Sequence, residues 1–298
     1  MRTALTGPNL PGVERASIIE PMSNLDPSTV ASFGDEWSRF QQEALPAEEQ
    51  QRLFDAYFAV FPWDSLPSGA RGADIGCGTG RWARLAAPRV GHLTCVDASS
   101  EALAVARAQL ADVDGCDFAL ASVDELPFEP ASLDFLYSLG VLHHVPSTPD
   151  AIMACAEALK PGAPMLLYLY YRFDNRPKWF ALTWKASELL RSRISKLPRT
   201  AKAAVCDALA AGVYWPLARG AALAETLGAD VHHVPLSAYR KLSFYTMRTD
   251  ARDRFGTPLE QRFTRDEIRS MMEAAGLERV RFSEGEPYWC AVGFRRAR

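Results

Sequence analysis

The stretch Ala73-Asp74-Ile75-Gly76-Cys77-Gly78-Thr79-Gly80 decides the fold of this chain. It completes an apolar strand predicted over residues 70–75 and passes, through three alternate glycines, into a helix predicted over residues 80–87. Glycines at such a junction let the backbone turn tightly and approach a ligand that any side chain would obstruct. Open α/β sheets bind ligands at the carboxyl ends of their strands. The stretch therefore predicts a ligand-binding loop after a first strand.

Strand and helix patterns alternate beyond this loop. The pattern predicts strands over residues 93–96, 117–120, 133–138 and 165–171, and helices over residues 99–110 and 149–159. Near the C-terminus, Thr264 is the predicted N-cap of a helix over 266–275, and strands follow over 277–282 and 288–294. The turn between those two strands is too short for a parallel crossover. We predict a doubly wound, mostly parallel seven-stranded α/β sheet with an antiparallel last strand.

Two further segments flank or interrupt this core. We divide the chain into an N-terminal arm (1–45), an α/β core (46–171), an inserted helical cap (172–260) and a C-terminal helix and β-hairpin that complete the core (261–298). Residues 1–30 contain several prolines and glycines with no clear period, so no structure is predicted there. Residues 46–61 place Leu53, Phe54, Tyr57, Phe58 and Phe61 at helical spacing.

Composition and charge exclude several classes of protein. Of the 298 residues, 48% are hydrophobic and 23% charged, which is typical of a globular chain. A net charge of −3 provides no general attraction to nucleic acid. No signal peptide and no run of about 18 apolar residues is present. The six cysteines are scattered without C-x-x-C spacing. We expect a cytoplasmic protein without a metal site.

The glycine pattern and two acids narrow the ligand. Arg81 stands where the dinucleotide fingerprint has its third glycine, so the pattern is G-x-G-x-G. Asp74 suits a ligand with an ammonium and a sulfonium better than a pyrophosphate. Asp97 ends the second strand, 21 positions after Gly76, where a carboxylate can accept hydrogen bonds from ribose hydroxyls. These features argue against NAD.

Together these residues resemble the class I methyltransferases, and within them the small-molecule branch related to the ubiquinone and menaquinone methyltransferases. The matching text covers residues 73–83, 96–99, 124–128 and 141–145. The resemblance implies S-adenosylmethionine as cofactor and S-adenosylhomocysteine as product. It also implies that Asp74, Gly76, Gly78 and Gly80 shape the methionine pocket, that Asp97 holds the ribose and that Ala98 lines the adenine.

One stretch departs from that family. Relatives often carry an aspartate near the adenine amino group after the third strand, where this chain has Ala121-Ser122-Val123, and Ser122 can hydrogen-bond in its place. The complete predicted set of cofactor-binding residues is Asp74, Gly76, Cys77, Gly78, Gly80, Trp82, Asp97, Ala98, Ser122, Val123 and Leu139.

Methyl transfer needs few catalytic groups, because positioning and exclusion of water supply much of the rate. A hydroxyl acceptor still benefits from a general base, for which histidine has a suitable pKa. The candidates are His143 and His144 after the fourth strand and His233 in the cap. The paired histidines are common in the resembling family without being catalytic. Phe33 and Trp37 either fold over the cofactor or pack in the core.

The cap contains a strongly basic segment. Residues 172–202 hold nine basic residues against two acidic ones. Such a run is a solvated face, a site for an acceptor bearing phosphate or carboxylate, or a peripheral membrane contact. The sequence therefore predicts an S-adenosylmethionine-dependent methyltransferase acting on a small-molecule acceptor, at oxygen, with no nucleic-acid partner. The alternatives are an RNA or other nucleic-acid methyltransferase and a non-catalytic cofactor-binding protein; the oligomeric state stays open.

Overall fold

A computed structural model of the chain describes residues 24–39 and 45–297. Seven strands form one sheet. They are β1 (Arg71–Ile75), β2 (His92–Asp97), β3 (Cys116–Leu120), β4 (Phe135–Leu139), β5 (Pro164–Tyr168), β6 (Leu277–Phe282) and β7 (Cys290–Arg295). Their order in the sheet is β3-β2-β1-β4-β5-β7-β6. The first five are parallel, and β7 runs antiparallel to both β5 and β6. The predicted doubly wound sheet with an antiparallel last strand is confirmed.

Helices cover both faces of this sheet. On one face lie α2 (Ala47–Tyr57), α3 (Ala83–Ala86) and α4 (Ser100–Gln109), whose buried residues include Phe54 and Leu103. On the other lie α5 (Thr148–Glu157) and α10 (Arg265–Ala274), which bury Ile152 and Met272. Because the sheet is covered on both faces, all five residues of β4 are buried, and burial does not alternate along the strand.

Element boundaries differ from the predicted ones where local chemistry intervenes. The helix predicted from residue 80 begins at Ala83, because Gly78 and Gly80 have φ of +55° and +78°. Strand β5 ends at Tyr168 rather than at 171, and Tyr171 forms an isolated bridge to Phe263 instead. Strand β7 begins at Cys290, after Pro287, which has no N–H to donate. The N-cap Thr264 is confirmed, in a capping box with Glu267.

The segment predicted as a cap is helical. It contains α6 (Lys178–Ile194), α7 (Arg199–Leu209), a π-helical turn (Ala210–Tyr214), α8 (Trp215–Thr226) and α9 (Phe244–Gly256). These helices have a small core of their own around Met247 and Ala251 of α9. Glu49 of α2 fixes the start of α9, because its carboxylate accepts hydrogen bonds from Ser243 N at 2.9 Å and from Thr246 Oγ1 at 2.6 Å. The cap therefore rests directly on the core.

A helix also forms in the described part of the arm, so the prediction of no structure is wrong for residues 27–30. This helix, α1 (Pro27–Arg39), begins after Asp26, whose Oδ1 accepts hydrogen bonds from the N–H groups of Ser28 and Thr29 at 2.9 and 3.3 Å. Asn24 clasps the core, since its Nδ2 donates to Ser147 O at 2.8 Å and its Oδ1 accepts from Ser147 N at 2.7 Å. Residues 1–23 and 40–44 of the arm lie outside the described residues.

No helix within residues 24–39 and 45–297 is both long and apolar enough to cross a bilayer. The same ranges hold no group of three or more His, Cys, Asp or Glu side chains arranged to bind a metal ion.

Candidate active site

A cavity of about 750 Å³ lies at the carboxyl ends of β1, β2 and β4. The core supplies the glycine loop on one side, α1 covers part of it, and the cap helices α6, α8 and α9 close the other side. Its volume is within the usual range of about 300–1,000 Å³ for small-molecule sites. The position is the one that open α/β sheets use for ligands.

Two glycines of the loop line the cavity and cannot be replaced without disturbance. Gly76 has a φ of +75°, and a Cβ on it would come within 2.4 Å of the Val141 side chain. Gly78 has a φ of +55°, and a Cβ there would come within 3.3 Å of Trp37 Nε1. Gly80 does not line the cavity; a Cβ on it would lie 2.8 Å from Leu110. Its smallness serves the packing of the loop against α4.

Asp97 braces the glycine loop from the end of β2. Its Oδ2 accepts a hydrogen bond from Gly78 N and its Oδ1 one from Ser99 N, both at 2.9 Å. Burial raises the pKa of Asp97, while the N–H groups of Ser99 and Gly78 act in the opposite direction. The carboxylate thus both holds the loop and lines the cavity.

We expect Asp97→Ala to weaken S-adenosylmethionine binding by roughly 1.5 to 3 kcal/mol, because the charge-assisted contact between its carboxylate and the ribose of the cofactor is lost. Isothermal titration measures the change. Asp112→Ala is the matched control, since the Asp112 side chain is 68% exposed and pairs with Arg84 away from the cavity. Equal affinities of the Asp97 variant and the parent protein would refute its cofactor role.

Asp74 lies beneath the loop rather than on the cavity surface. Asp74 is 1% exposed, and it is absent from the cavity lining. Burial raises the pKa of Asp74 to about 8, against the opposing effect of the Tyr137 hydroxyl beside it. The group is therefore largely protonated at neutral pH, and its predicted role in the methionine pocket stays a prediction.

The raised pKa of Asp74 makes stability depend on pH. Between its usual value of 3.8 and about 8, the folded chain holds a proton that the unfolded chain releases. Its contribution to the unfolding free energy therefore falls as pH rises, by about 1.4 kcal/mol per pH unit. We expect Asp74→Asn to lessen this fall, so that the variant melts higher than the parent protein at pH 9. Denaturation at pH 5 and pH 9 checks this; parallel losses in both proteins would contradict it.

The other predicted cofactor-binding residues surround the same space. Those that line the cavity are Cys77, Trp82, Ala98, Ser122, Val123 and Leu139. Ser122 Oγ donates to Asp124 Oδ1 at 2.6 Å, and Asp124 Oδ2 accepts from Asn24 N at 2.9 Å. Ser122, where the chain departs from the family pattern, is thus connected through Asp124 to Asn24, which precedes α1.

The three candidate histidines occupy different environments. His144 lines the cavity, and His143 is fully buried behind it. Burial holds the pKa of His143 well below 6.5, and neither ring nitrogen has a hydrogen-bond partner among the described residues. His233 is exposed and lies outside the cavity lining. Of the three candidates, only His144 lines the cavity in which an acceptor would bind.

Sequence reasoning missed the acid that the cap brings to His144 and the core hydroxyl beside that acid. Asp253 of α9 has its Oδ1 3.7 Å from His144 Nε2, and the Tyr170 hydroxyl donates a hydrogen bond to its Oδ2. Asp253 and Tyr170 both line the cavity, as does Asp250 one turn earlier on α9. The spacing of Asp250 and Asp253 on one helix face was visible in the sequence. Nothing in the local sequence linked that face to His144.

Phe33 and Trp37 are placed over the cavity by α1. Both line it, and their rings are stacked with centroids 6.5 Å apart. Phe33 also meets the His144 ring edge-on at 4.9 Å. The helix therefore covers the glycine loop and reaches the candidate base.

The glycine loop and Asp97 form a cradle that fits S-adenosylmethionine, and comparisons with known proteins agree. The family described as Methyltransferase domain matches residues 73–167. The ubiquinone biosynthesis O-methyltransferase of Hahella chejuensis is 30% identical over 184 residues, covering 60% of this chain and 74% of that protein. The protein of the same name from Xanthomonas axonopodis pv. citri is 34% identical over 132 residues, covering 44% of this chain and 54% of that protein.

Among solved structures, an S-adenosylmethionine-dependent methyltransferase from Mesorhizobium loti is 28% identical with a TM-score of 0.37, covering 43% of this chain and 58% of that one. The family match extends from the glycine loop through the parallel strands and includes the residues that form the cradle. By sequence and by the arrangement of this loop, the chain belongs to the class I S-adenosylmethionine-dependent methyltransferases.

Proposed function

We propose that this protein transfers a methyl group to a hydroxyl oxygen of a small, largely apolar acceptor held beneath the cap, and that the His144–Asp253 pair accepts the hydroxyl proton. The single observation that carries the proposal is that this pair and the glycine loop line one cavity. The two relatives described above are named O-methyltransferases, which supports transfer to oxygen.

Local contacts orient the pair for proton transfer. His144 Nδ1 donates a hydrogen bond to Leu259 O at 2.7 Å, and this contact turns Nε2 toward Asp253 Oδ1, which lies 3.7 Å away. Burial raises the pKa of Asp253, although nearby His144 acts in the opposite direction. A carboxylate with a raised pKa is a stronger base. The Asp253 side chain is also the more accessible of the two, since it is 20% exposed and that of His144 is 3% exposed. Asp253 thus meets the acceptor, and His144 supports it.

The cofactor supplies an activated methyl group on a sulfonium. The residues that would hold it are Gly76, Gly78 and Asp97, with Trp82 and Trp37 beside them. Methyl transfer from such a donor depends on alignment and on the exclusion of water. The covering helix α1 and the cap provide that exclusion.

The walls favour a neutral acceptor over a phosphorylated one or a nucleic acid. Aromatic rings of Phe173, Phe180, Trp184 and Tyr214 line the cap side. Arginines of that wall are already paired, Arg254 and Arg262 with Glu260 at 2.9 and 2.8 Å, and Arg176 with Glu286 at 2.9 Å. Paired arginines offer little attraction to a further anion.

Methyl transfer from labelled S-adenosylmethionine to matched acceptors tests the proposal. We would offer a 4-alkylcatechol and the 4-alkylaniline of the same chain length, and measure labelled product by mass spectrometry. Product from the catechol alone is the expected result. Transfer to the aniline alone would place the chemistry at nitrogen, and release of no S-adenosylhomocysteine with these acceptors or with a cell extract would indicate a non-catalytic binding protein.

A further inference from the structure

Helix α6 carries an apolar face that nothing in the described structure covers. Leu182 and Leu189 are 67% and 64% exposed, and Trp179 and Leu190 are 47% and 43% exposed. At about 100° per residue, these four side chains fall within one arc of about 100° along the helix. A single exposed leucine is common on protein surfaces. Several exposed apolar side chains along one face of a helix mark an interaction surface.

A separate face of the same helix lines the cavity. Phe180, Thr183, Trp184 and Ser187 all contribute to the lining, and none of them belongs to the exposed apolar face. Val213 and Leu217, at the π-helical turn and in α8, line the cavity and are each 41% exposed, so they lie at its mouth. Thr183 is both exposed and part of the lining, so the exposed apolar face of α6 adjoins the face that meets the cavity.

The charges beside this face are positive. Lys178, Lys185, Arg193 and Lys196 are exposed at or near α6. The helix contains one acidic residue, Glu188, whose Oε1 accepts from Arg191 Nε at 2.6 Å and whose Oε2 lies 3.0 Å from Arg254 Nη2. An exposed apolar stripe with basic neighbours is the pattern of a helix that lies in the plane of an anionic bilayer.

We propose that the exposed face of α6 docks the protein on an anionic lipid bilayer and places the mouth of the cavity at the lipid surface. The leucines and Trp179 enter the headgroup region, and the basic side chains contact the lipid phosphates. The docking depends on this face alone, so it is independent of which atom the enzyme methylates.

Vesicle flotation of the full chain tests the docking. We expect at least tenfold more protein to float with phosphatidylcholine vesicles containing phosphatidylglycerol than with phosphatidylcholine alone, and high salt to reduce the difference. The double variant Leu182→Asp, Leu189→Asp should lose this binding without unfolding, because both side chains are exposed. Leu120→Asp is the matched control, since Leu120 is 61% exposed on β3, outside the cap.

Circular dichroism and light scattering complete the experiment. Flotation by the parent protein and the Leu120 variant, but not by the folded double variant, supports the proposal. Equal flotation with neutral and anionic vesicles, or equal flotation of both variants, would overturn it. So would a parent dimer that fails to float and that the double variant converts to monomers, because the face would then bind a second copy.

Discussion

Asp253→Asn is expected to lower kcat for methyl transfer to a hydroxyl by about 10²- to 10⁴-fold, the usual loss when a general base is removed. Asparagine has the size and shape of aspartate but cannot take up the hydroxyl proton. It can still accept the hydrogen bond from Tyr170, so the local packing should survive. The affinity for S-adenosylmethionine should change little, because Asp253 lies on the cap side of the cavity. Single-turnover measurement of labelled product gives the comparison.

Asp250→Asn is the control for this result. Asp250 lines the same cavity from the same helix but forms no ion pair with His144. If Asp250→Asn loses the larger factor, the base is Asp250 and the proposed pair is wrong. In the parent protein, kcat should fall as pH drops through the pKa of Asp253, which lies above the usual 3.8. This acid limb should disappear from the residual activity of Asp253→Asn.

Gly76→Ala is expected to weaken S-adenosylmethionine binding by about 10- to 1,000-fold. An L side chain at a φ of +75° costs about 1–2 kcal/mol, and displacing Val141 from a Cβ at 2.4 Å adds about 1–3 kcal/mol. Relief of that strain moves the loop backbone, which forms one wall of the cavity. Isothermal titration with the cofactor measures the loss.

Gly162→Ala separates backbone strain from displacement of the loop. Gly162 has a φ of +81°, but nothing lies within 4 Å of the position a Cβ would take, and it is outside the cavity lining. This variant should lose about 1–2 kcal/mol of unfolding free energy and keep its cofactor affinity. Parent-like affinity in Gly76→Ala would show that the loop does not approach the ligand closely.

The features that could be predicted have local chemical signatures. The turns at Gly76 and Gly78 were predictable because glycine is the residue that tolerates a positive φ. The place of Asp97 was predictable because it ends an apolar strand. The N-cap Thr264 was predictable in the same way, and the structure adds Glu267 as its partner in a capping box. The alternation of strands and helices then fixed the parallel sheet, because such crossovers allow few alternatives.

What could not be predicted depends on contacts between distant segments. Helix α1 packs on α4, where Gly34 comes so near Ser99 that a Cβ would be 3.0 Å from its hydroxyl. Asp253 meets His144 only because α9 is docked on the core through Glu49. Neither docking has a periodic signal, so a reading of local patterns names His144 but not its partner.

The clasp between Asn24 and Ser147 has a consequence for turnover. Because α1 covers the part of the cavity beside the glycine loop, we expect the spent cofactor to leave faster when this helix moves away, which requires the two hydrogen bonds of the clasp to break. Many enzymes are limited by such an opening rather than by bond making. Steady-state rates would then report how fast α1 opens, and weakening the clasp would speed the cycle while leaving the chemical step unchanged.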